Sequence, residues 1–493
     1  MTKVTLIDKR PNGEHTIDAR AVNSKEARAL YTKRAQIYPK LAHGFFRNLK
    51  WAAMIVLLAI YYVTPWIRWD RGVGRPDQAV LVDFEHGRFY FFFIELWPQE
   101  VYYITGLLVL ASLGIFLSSA LFGRVWCGYA CPQTVWTDLY IYVERLIEGD
   151  RNARMKLDKA PLSVEKATKK LSKHAIWLLI AAATGGAWVF YFADAPTLFF
   201  DIFAGRAAAT AYISIGGLTF TTYTLDGMMR EQVCTYMCPW PRIQAAMMDK
   251  DALSVTYRVD RGEKRGPHKK GESWEGRGDC IDCRQCVAVC PQGIDIRDGD
   301  QLECINCALC IDACDDIMRK VDRPTGLIAY DSYANQTRRA QGKVANIRLL
   351  RPRTILYGVL FAFVGLLMVY GLSARQTLDL NVIRDRSPPF VRLADGSFRN
   401  DYALKLVNMT AIERRVVIEV SGLEGARLLA PAFESQGAIV ASAGADSVTN
   451  VRMHVVVPNS VGGGSHRLTF TIRDLGSGET ATSASAFLAG EAP

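Results

Sequence analysis

Hydrophobic and polar positions divide the chain into three regimes. Up to residue 50 the sequence is polar and basic. Between residues 51 and 373, polar loops alternate with five apolar stretches free of Asp, Glu, Lys and Arg: Trp51–Ile67, Val101–Gly123, His174–Ala193, Ala207–Leu225 and Thr354–Ser373. A helix needs about 20 such residues to cross a bilayer, so the set predicts five transmembrane helices. The first is the shortest, at 17 residues, but Trp51, Tyr61, Tyr62 and Trp66 supply interfacial aromatics at its ends. One such run would fit a buried helix of a soluble protein; five in one chain point to a membrane. Beyond Ser373 the period shortens to two, in runs such as Tyr402–Val407, Arg415–Val420, Asn450–Val457 and Arg467–Ile472. Turn-forming clusters at Ser442–Asp446 and Gly462–Ser465 separate them. This pattern predicts an antiparallel β-sandwich of about seven strands.

The basic residues orient the helices. Segments 1–50, 124–173 and 226–353 carry 11, 10 and 21 Lys+Arg, whereas 68–100 and 194–206 carry 4 and 1. The positive segments are expected in the cytoplasm, and an odd number of helices then puts residues 374–493 across the membrane. No cleavable leader is visible, so the first helix is expected to act as an uncleaved anchor. The formal charge of +10 over 493 residues divides into +13 on the cytoplasmic segments and −3 on the others. The excess is thus a mark of orientation at an anionic membrane and does not argue for nucleic acid. The aromatic residues Phe89–Phe93 and Trp97 in the loop 68–100 read as an interfacial belt rather than a cofactor pocket.

All twelve cysteines lie between Cys127 and Cys314. Eight form two runs, Cys280-x2-Cys283-x2-Cys286-x3-Cys290-Pro291 and Cys304-x2-Cys307-x2-Cys310-x3-Cys314. This duplicated spacing is the two-cluster bacterial ferredoxin signature. Three closely spaced thiolates wrap a cubane from one loop, and a distant fourth clamps it to the other half of the fold. By that rule one [4Fe–4S] cluster takes Cys280, Cys283, Cys286 and Cys314. The other takes Cys304, Cys307, Cys310 and Cys290. Zinc sites use pairs of C-x2-C rather than triplets, and a reducing cytoplasm disfavours disulfides. No G-x-G-x-x-G follows a strand. The only histidine in the five stretches is His174, at an end, so membrane haem is not expected. In the β-rich tail His454 and His466 are isolated and read as surface or structural groups.

The other four cysteines repeat a C-x3-C-P motif after the second and fourth stretches: Cys127-Gly-Tyr-Ala-Cys131-Pro132 and Cys234-Thr-Tyr-Met-Cys238-Pro239. If helix continues, each pair shares one face. The proline suits the first turn of a new helix, and Thr134–Ile147 has the pattern of an amphipathic helix near the membrane surface. A cysteine at a helix N-terminus is expected to have a lowered pKa. Two thiolate pairs favour a soft metal, with Cu(I) the best candidate and Met237 an added thioether. Spacing leaves open whether the pairs bind metal, cycle as disulfides or ligate further iron.

At Trp126–Pro132, Cys234–Trp240, Tyr257–Gly266, Gly278–Gly299, Gln301–Met318 and Gly326–Ser332 the chain resembles the CcoG/FixG/RdxA family of accessory proteins of cbb3-type cytochrome c oxidase. The second cysteine run lacks its proline in that family too. The resemblance implies a multi-pass inner-membrane protein with a cytoplasmic N-terminus and clusters and a periplasmic immunoglobulin-like tail. It implies a cupric reductase, Cu(II) to Cu(I), that supports copper delivery to the oxidase. The eight ferredoxin cysteines would be cluster ligands, and Cys127, Cys131, Cys234 and Cys238 would handle copper. Expected partners are copper ions, oxidase assembly factors, copper transporters or chaperones, an unidentified electron donor and the lipid bilayer.

The expected architecture is a five-helix transmembrane bundle with a two-cluster ferredoxin-like insertion and a C-terminal immunoglobulin-like β-sandwich. Its segments are 1–50, cytoplasmic; 51–230, four helices with the first C-x3-C-P; 231–353, the second C-x3-C-P and the ferredoxin-like domain; 354–373, the fifth helix; and 374–493, the β domain. Two other functions fit the residues: a quinol dehydrogenase-type electron-transfer subunit, and a non-redox scaffold or copper carrier. The tail has no C-x-x-C-H haem motif to give the former a periplasmic electron exit.

Overall fold

The computed structural model describes residues 36–490 apart from 73, 270, 431–432, 435–437 and 460, together with the paired backbones of Asp8–Lys9 and His15–Thr16. Most of the expected cytoplasmic segment 1–50 therefore lies outside the described residues. The chain forms two compact units, residues 1–69 with 78–361 and residues 70–77 with 362–493.

In the first unit, helices occupy all the apolar stretches. They are α1 (Phe45–Val63), α2 (Tyr102–Phe122), α5 (Val164–Val189), α6 (Ala209–Thr222) and α10 (Pro352–Ser373), the last running on into the second unit. Among the described residues, three helices are long and apolar enough to cross a membrane: Phe45–Trp66, Pro98–Phe122 and Pro352–Ser373. The other two of the expected five fall short for physical reasons. Helix α5 opens on the charged run Glu165–Lys173, and its apolar half is diluted by Gly185 and Gly186. Helix α6 has 14 residues, a rise of about 21 Å, and then widens into a π-helical turn over Tyr223–Met229.

Between these helices lie α3 (Val125–Tyr129) and α4 (Pro132–Glu148). The expected amphipathic helix is present as α4, but its polar positions are covered by protein. Asp138, Glu144 and Glu148 are buried. Asp138 takes a two-pronged ion pair from Arg47 of α1, with one arm at 3.0 Å. Glu144 is enclosed by Arg154 (2.7 Å), Arg230 (3.1 Å) and Lys173 (3.5 Å). The loop 68–100 forms a three-stranded meander over Val80–Asp83, Arg88–Phe91 and Ile94–Leu96. Tyr90 and Trp97 face inward there, and Phe91 and Phe93 outward.

The two cysteine runs are enclosed by an antiparallel strand pair, Ser254–Tyr257 with Ile328–Asp331. Each run leads into a helix, α8 (Gln285–Val289) or α9 (Leu309–Lys320). Helix α9 docks on α1: the Asp312 carboxylate accepts the backbone N–H of Phe46 (3.2 Å) and Arg47 (2.7 Å). This is a helix N-cap supplied from elsewhere in the chain.

The second unit is an all-antiparallel sandwich. One sheet runs Phe433–Glu434, Arg427–Ala430, Ser447–Val457, Phe398–Asn408 and Leu378–Arg384, with Val391–Arg392 also paired to Phe398–Asn408. The other runs Ile439–Ala443, Arg414–Ser421, Gly464–Asp474 and Thr480–Ala489. All four sampled alternating runs of the sequence lie within strands. Alternate residues such as Leu404, Leu406, Ile418, Val455, Phe470 and Phe487 fill an apolar core. Tyr402 packs on Phe470 and reaches the other sheet through its hydroxyl, which donates to the Ala486 carbonyl at 2.9 Å. His454 pairs with Asp401 (2.6 Å) and His466 with the Gly462 carbonyl (2.6 Å).

Candidate functional site

The two ferredoxin runs share an unusual backbone. In each, the residue before the second cysteine and the residue after it adopt left-handed φ: Asp282 and Arg284 in one, Asn306 and Ala308 in the other, at 52 to 59°. Asp and Asn tolerate this region, but Arg284 and Ala308 do so at a cost of about 1–2 kcal/mol each. These turns curl three cysteines around a common point. One cavity is walled by Cys280, Cys283, Cys286 and Cys314, together with Tyr257 and Met318. A second is walled by Cys290, Cys304, Cys307 and Cys310, with Cys286 also reaching it. The last cysteine of each run thus sits with the first three of the other.

Burial pushes the thiols of Cys286 and Cys304 up to about 11 and that of Cys290 up to about 12. Neighbouring cysteines add to the shift. Four crowded thiols that resist ionising singly fit a cationic iron core that takes thiolates and expels their protons.

The four C-x3-C-P cysteines come together from two distant points of the sequence. Cys238 lies within electrostatic reach of Cys127 and Cys131, and Cys234 is within reach of Cys127, Cys131 and Cys238. The motifs are built differently. Cys127 lies in α3, and Cys131 is the N-cap of α4 with Pro132 at its first position. Cys234 lies in a π-helical turn, Val233–Met237, and Cys238 is separated from α7 (Trp240–Met247) by Pro239, the N-cap of that helix. The expectation of one continuous helical face per pair is therefore not met, because both chains break at the second cysteine.

The expected lowering of thiol pKa is also reversed. Burial pushes Cys127 up to about 11 and Cys234 up to about 12. Cys131 is raised by burial despite the N–H groups of Thr134 and Gln133 aimed at it. Desolvation outweighs the helix N-terminus.

Residues that the spacing did not single out complete the site. The Cys127 thiol donates to Gln244 Oε1 of α7 at 3.0 Å, which ties the first motif to the helix after the second. Arg124 is buried beside Cys127 and donates to the Leu302 carbonyl. A cavity at Cys234 is lined by Lys50, Asp138, Arg230 and Glu231 together with Pro291 and Ile305. Gln244 and Arg124 carry no local signal in the sequence; only the fold brings them to the thiols. Among the described residues, no three His, Cys, Asp or Glu side chains lie close enough to hold a single metal ion. None of the twelve cysteines is in a disulfide.

Three family models match the chain. They are a 4Fe–4S dicluster domain over residues 229–333, a 4Fe–4S binding domain over 104–149, and the immunoglobulin-like fold at the C-terminus of FixG over 368–490. The nitrogen fixation protein FixG of Rhizobium meliloti is 51% identical over 473 residues, which is 90% of each chain. Protein RdxA of Cereibacter sphaeroides is 49% identical over 449 residues, 90% of this chain and 93% of its own. Protein RdxB of the same organism is 49% identical over 87% of this chain and 90% of its own. A solved FixG-related protein from Vibrio parahaemolyticus aligns with 23% of this chain at 22% identity and a TM-score of 0.20.

Proposed function

The chain belongs to the FixG/RdxA family and is an iron–sulfur electron-transfer protein with three helices long and apolar enough to cross a membrane; from that premise we propose that it is a cupric reductase serving assembly of a cbb3-type oxidase. The observation that carries this reading is the convergence of the four membrane-edge thiols beside the cavity of Cys290, Cys304, Cys307 and Cys310.

Cys280, Cys283, Cys286 and Cys314 hold one [4Fe–4S] cluster, and Cys304, Cys307, Cys310 and Cys290 the other. When bound, the clusters supply single electrons, and Cu(II) needs one. Cys127, Cys131, Cys234 and Cys238 receive the copper. Their burial favours the soft, singly charged product over the harder Cu(II), and two thiolates suffice for Cu(I). The protein crosses the bacterial inner membrane an odd number of times, with spans at Phe45–Trp66, Pro98–Phe122 and Pro352–Ser373, so that its N-terminus and clusters lie in the cytoplasm and the sandwich in the periplasm. The charge division of +13 against −3 and the absence of cysteine from the sandwich support this arrangement.

The test is anaerobic mixing of the dithionite-reduced protein with Cu(II). Loss of the Cu(II) EPR signal with stoichiometric Cu(I) is expected. Serine at Cys127 and Cys131, or at Cys234 and Cys238, should abolish it without loss of iron. Undiminished reduction in both double variants would sink the thiol role.

A further inference from the structure

The two C-x3-C-P motifs are alike in sequence but differ in their surroundings. In the first, Gly128 is buried against the second cysteine run. A Cβ there would lie 2.7 Å from the Ile305 carbonyl oxygen and 3.1 Å from the Cys307 nitrogen. The Tyr129 hydroxyl donates to the Cys307 carbonyl at 3.1 Å. Cys127 itself shares a buried cluster with Ile305, Cys307 and Leu309. In the second motif, threonine stands where the first has glycine, and the Thr235 hydroxyl turns back to the Glu231 carbonyl at 2.9 Å. Tyr236 and Met237 are 68% and 56% exposed.

The two cysteine cavities differ in the same sense. Cys307 of the second cavity is clamped by the first motif, and Pro291, next to Cys290, lines the space at Cys234. The first cavity is lined by ferredoxin-domain residues alone, and its Cys283 is exposed at the surface.

We propose that the two motifs divide the work: Cys127 and Cys131 form the electron-receiving side of the copper site, Cys234 and Cys238 the copper-receiving side, and Gly128 and Tyr129 are positioning residues that hold the first pair against Cys307. This deepens the cupric-reductase reading and rests on it. It also orders the path. Electrons enter from a reduced one-electron carrier at the cavity of exposed Cys283 and leave through the cavity of Cys307. For each Cu(II) reduced to Cu(I), one electron is drawn from the Cys307 side and replaced from the Cys283 side, and one equivalent of carrier is oxidised. Each cysteine that binds copper breaks its S–H bond and releases one proton to solvent, and the sulfur–copper bond takes its place.

The experiment compares Gly128→Ala, Tyr129→Phe and Tyr236→Phe in the full-length, iron-loaded protein. Freeze-quench EPR after mixing the dithionite-reduced protein with Cu(II) should show several-fold slower copper reduction in the first two and wild-type rates in the third. In an EPR redox titration without copper, Tyr129→Phe should shift the potential of one cluster and not the other; a general loss of structure would move both. Iodoacetamide should label Cys127 about tenfold faster in Tyr129→Phe, since losing one buried hydrogen bond changes a local opening equilibrium by that order.

Tyr129→Phe carries the test if Gly128→Ala fails to load iron. Identical rates, potentials and labelling in Tyr129→Phe and Tyr236→Phe would overturn the proposal. Failure of the wild-type protein to reduce Cu(II) would instead overturn the underlying reading, and the potentials and labelling would still decide whether the clamp exists.

Discussion

Glu144 shows how much of this molecule turns on single charges. It is buried among Arg154, Lys173 and Arg230. Burial alone would raise its pKa, but Arg230, Arg154 and Lys173 hold the carboxyl down to about 2, against an ordinary 4.5. A carboxylate held low in the folded state contributes stability above its unfolded pKa and loses it as pH falls through the folded one. The contribution of Glu144 is therefore full above about pH 4.5 and disappears between there and pH 2. Glu144→Gln should lower stability at pH 7 by about 3–5 kcal/mol, because Arg154 and Arg230 lose their counter-charge while Lys173 keeps Glu148 at 2.9 Å. It should also flatten the acid limb, as read from unfolding midpoints in detergent between pH 7 and pH 3. Arg230 stands four residues before Cys234, so the same substitution should loosen the second thiol turn. In the sequence the eight ferredoxin cysteines were legible as two exchanging quartets, because their ligand chemistry is local and duplicated. The thiol pKa values were not legible, since a helix N-terminus can be read from Cys131-Pro132 whereas burial by neighbours from another segment cannot.

Helices and strands were read well where one face or one period decides them. The sandwich strands follow the alternation of Phe398–Asn408 and Ser447–Val457, and α4 follows its amphipathic pattern. The π-helical turns at Tyr223–Met229 and Val233–Met237 leave no such trace, because they come from packing rather than periodicity. The start of α1 is another long-range effect. Gly44 has no side-chain cap of its own, and a Cβ there would run into Asp312. Asp312→Ala should cost about 1–2 kcal/mol, the usual value of an N-cap. Gly44→Ala should weaken the same dock by collision. Both variants should cleave faster in limited proteolysis between residues 36 and 44, while far-UV circular dichroism stays unchanged.

At the scale of the whole molecule, all twelve cysteines belong to one compact unit and the other has none. Anaerobic removal of iron with a chelator should therefore divide the chain. Segment 254–331, whose two cavities are walled by cysteines, should become protease-sensitive, while residues 377–490 keep their β-sheet signal and resistance. Simultaneous loss of both would contradict the independence of the two cores. Fusions test the proposed topology. Alkaline phosphatase joined after residue 490 should be active, and the same enzyme joined after residue 340 should be silent.

The cap on α1 also has a consequence in time. The Phe46 N–H and the Asp312 carboxylate are 266 residues apart. At roughly 5–20 residues per second, a ribosome reaches Asp312 tens of seconds after it has made Phe46. The first apolar helix must therefore begin life with its amino-terminal turn open. Nascent chains stalled between those two codons would hold a tethered but unlocked precursor, so insertion and domain docking become two events separated by the clock of translation.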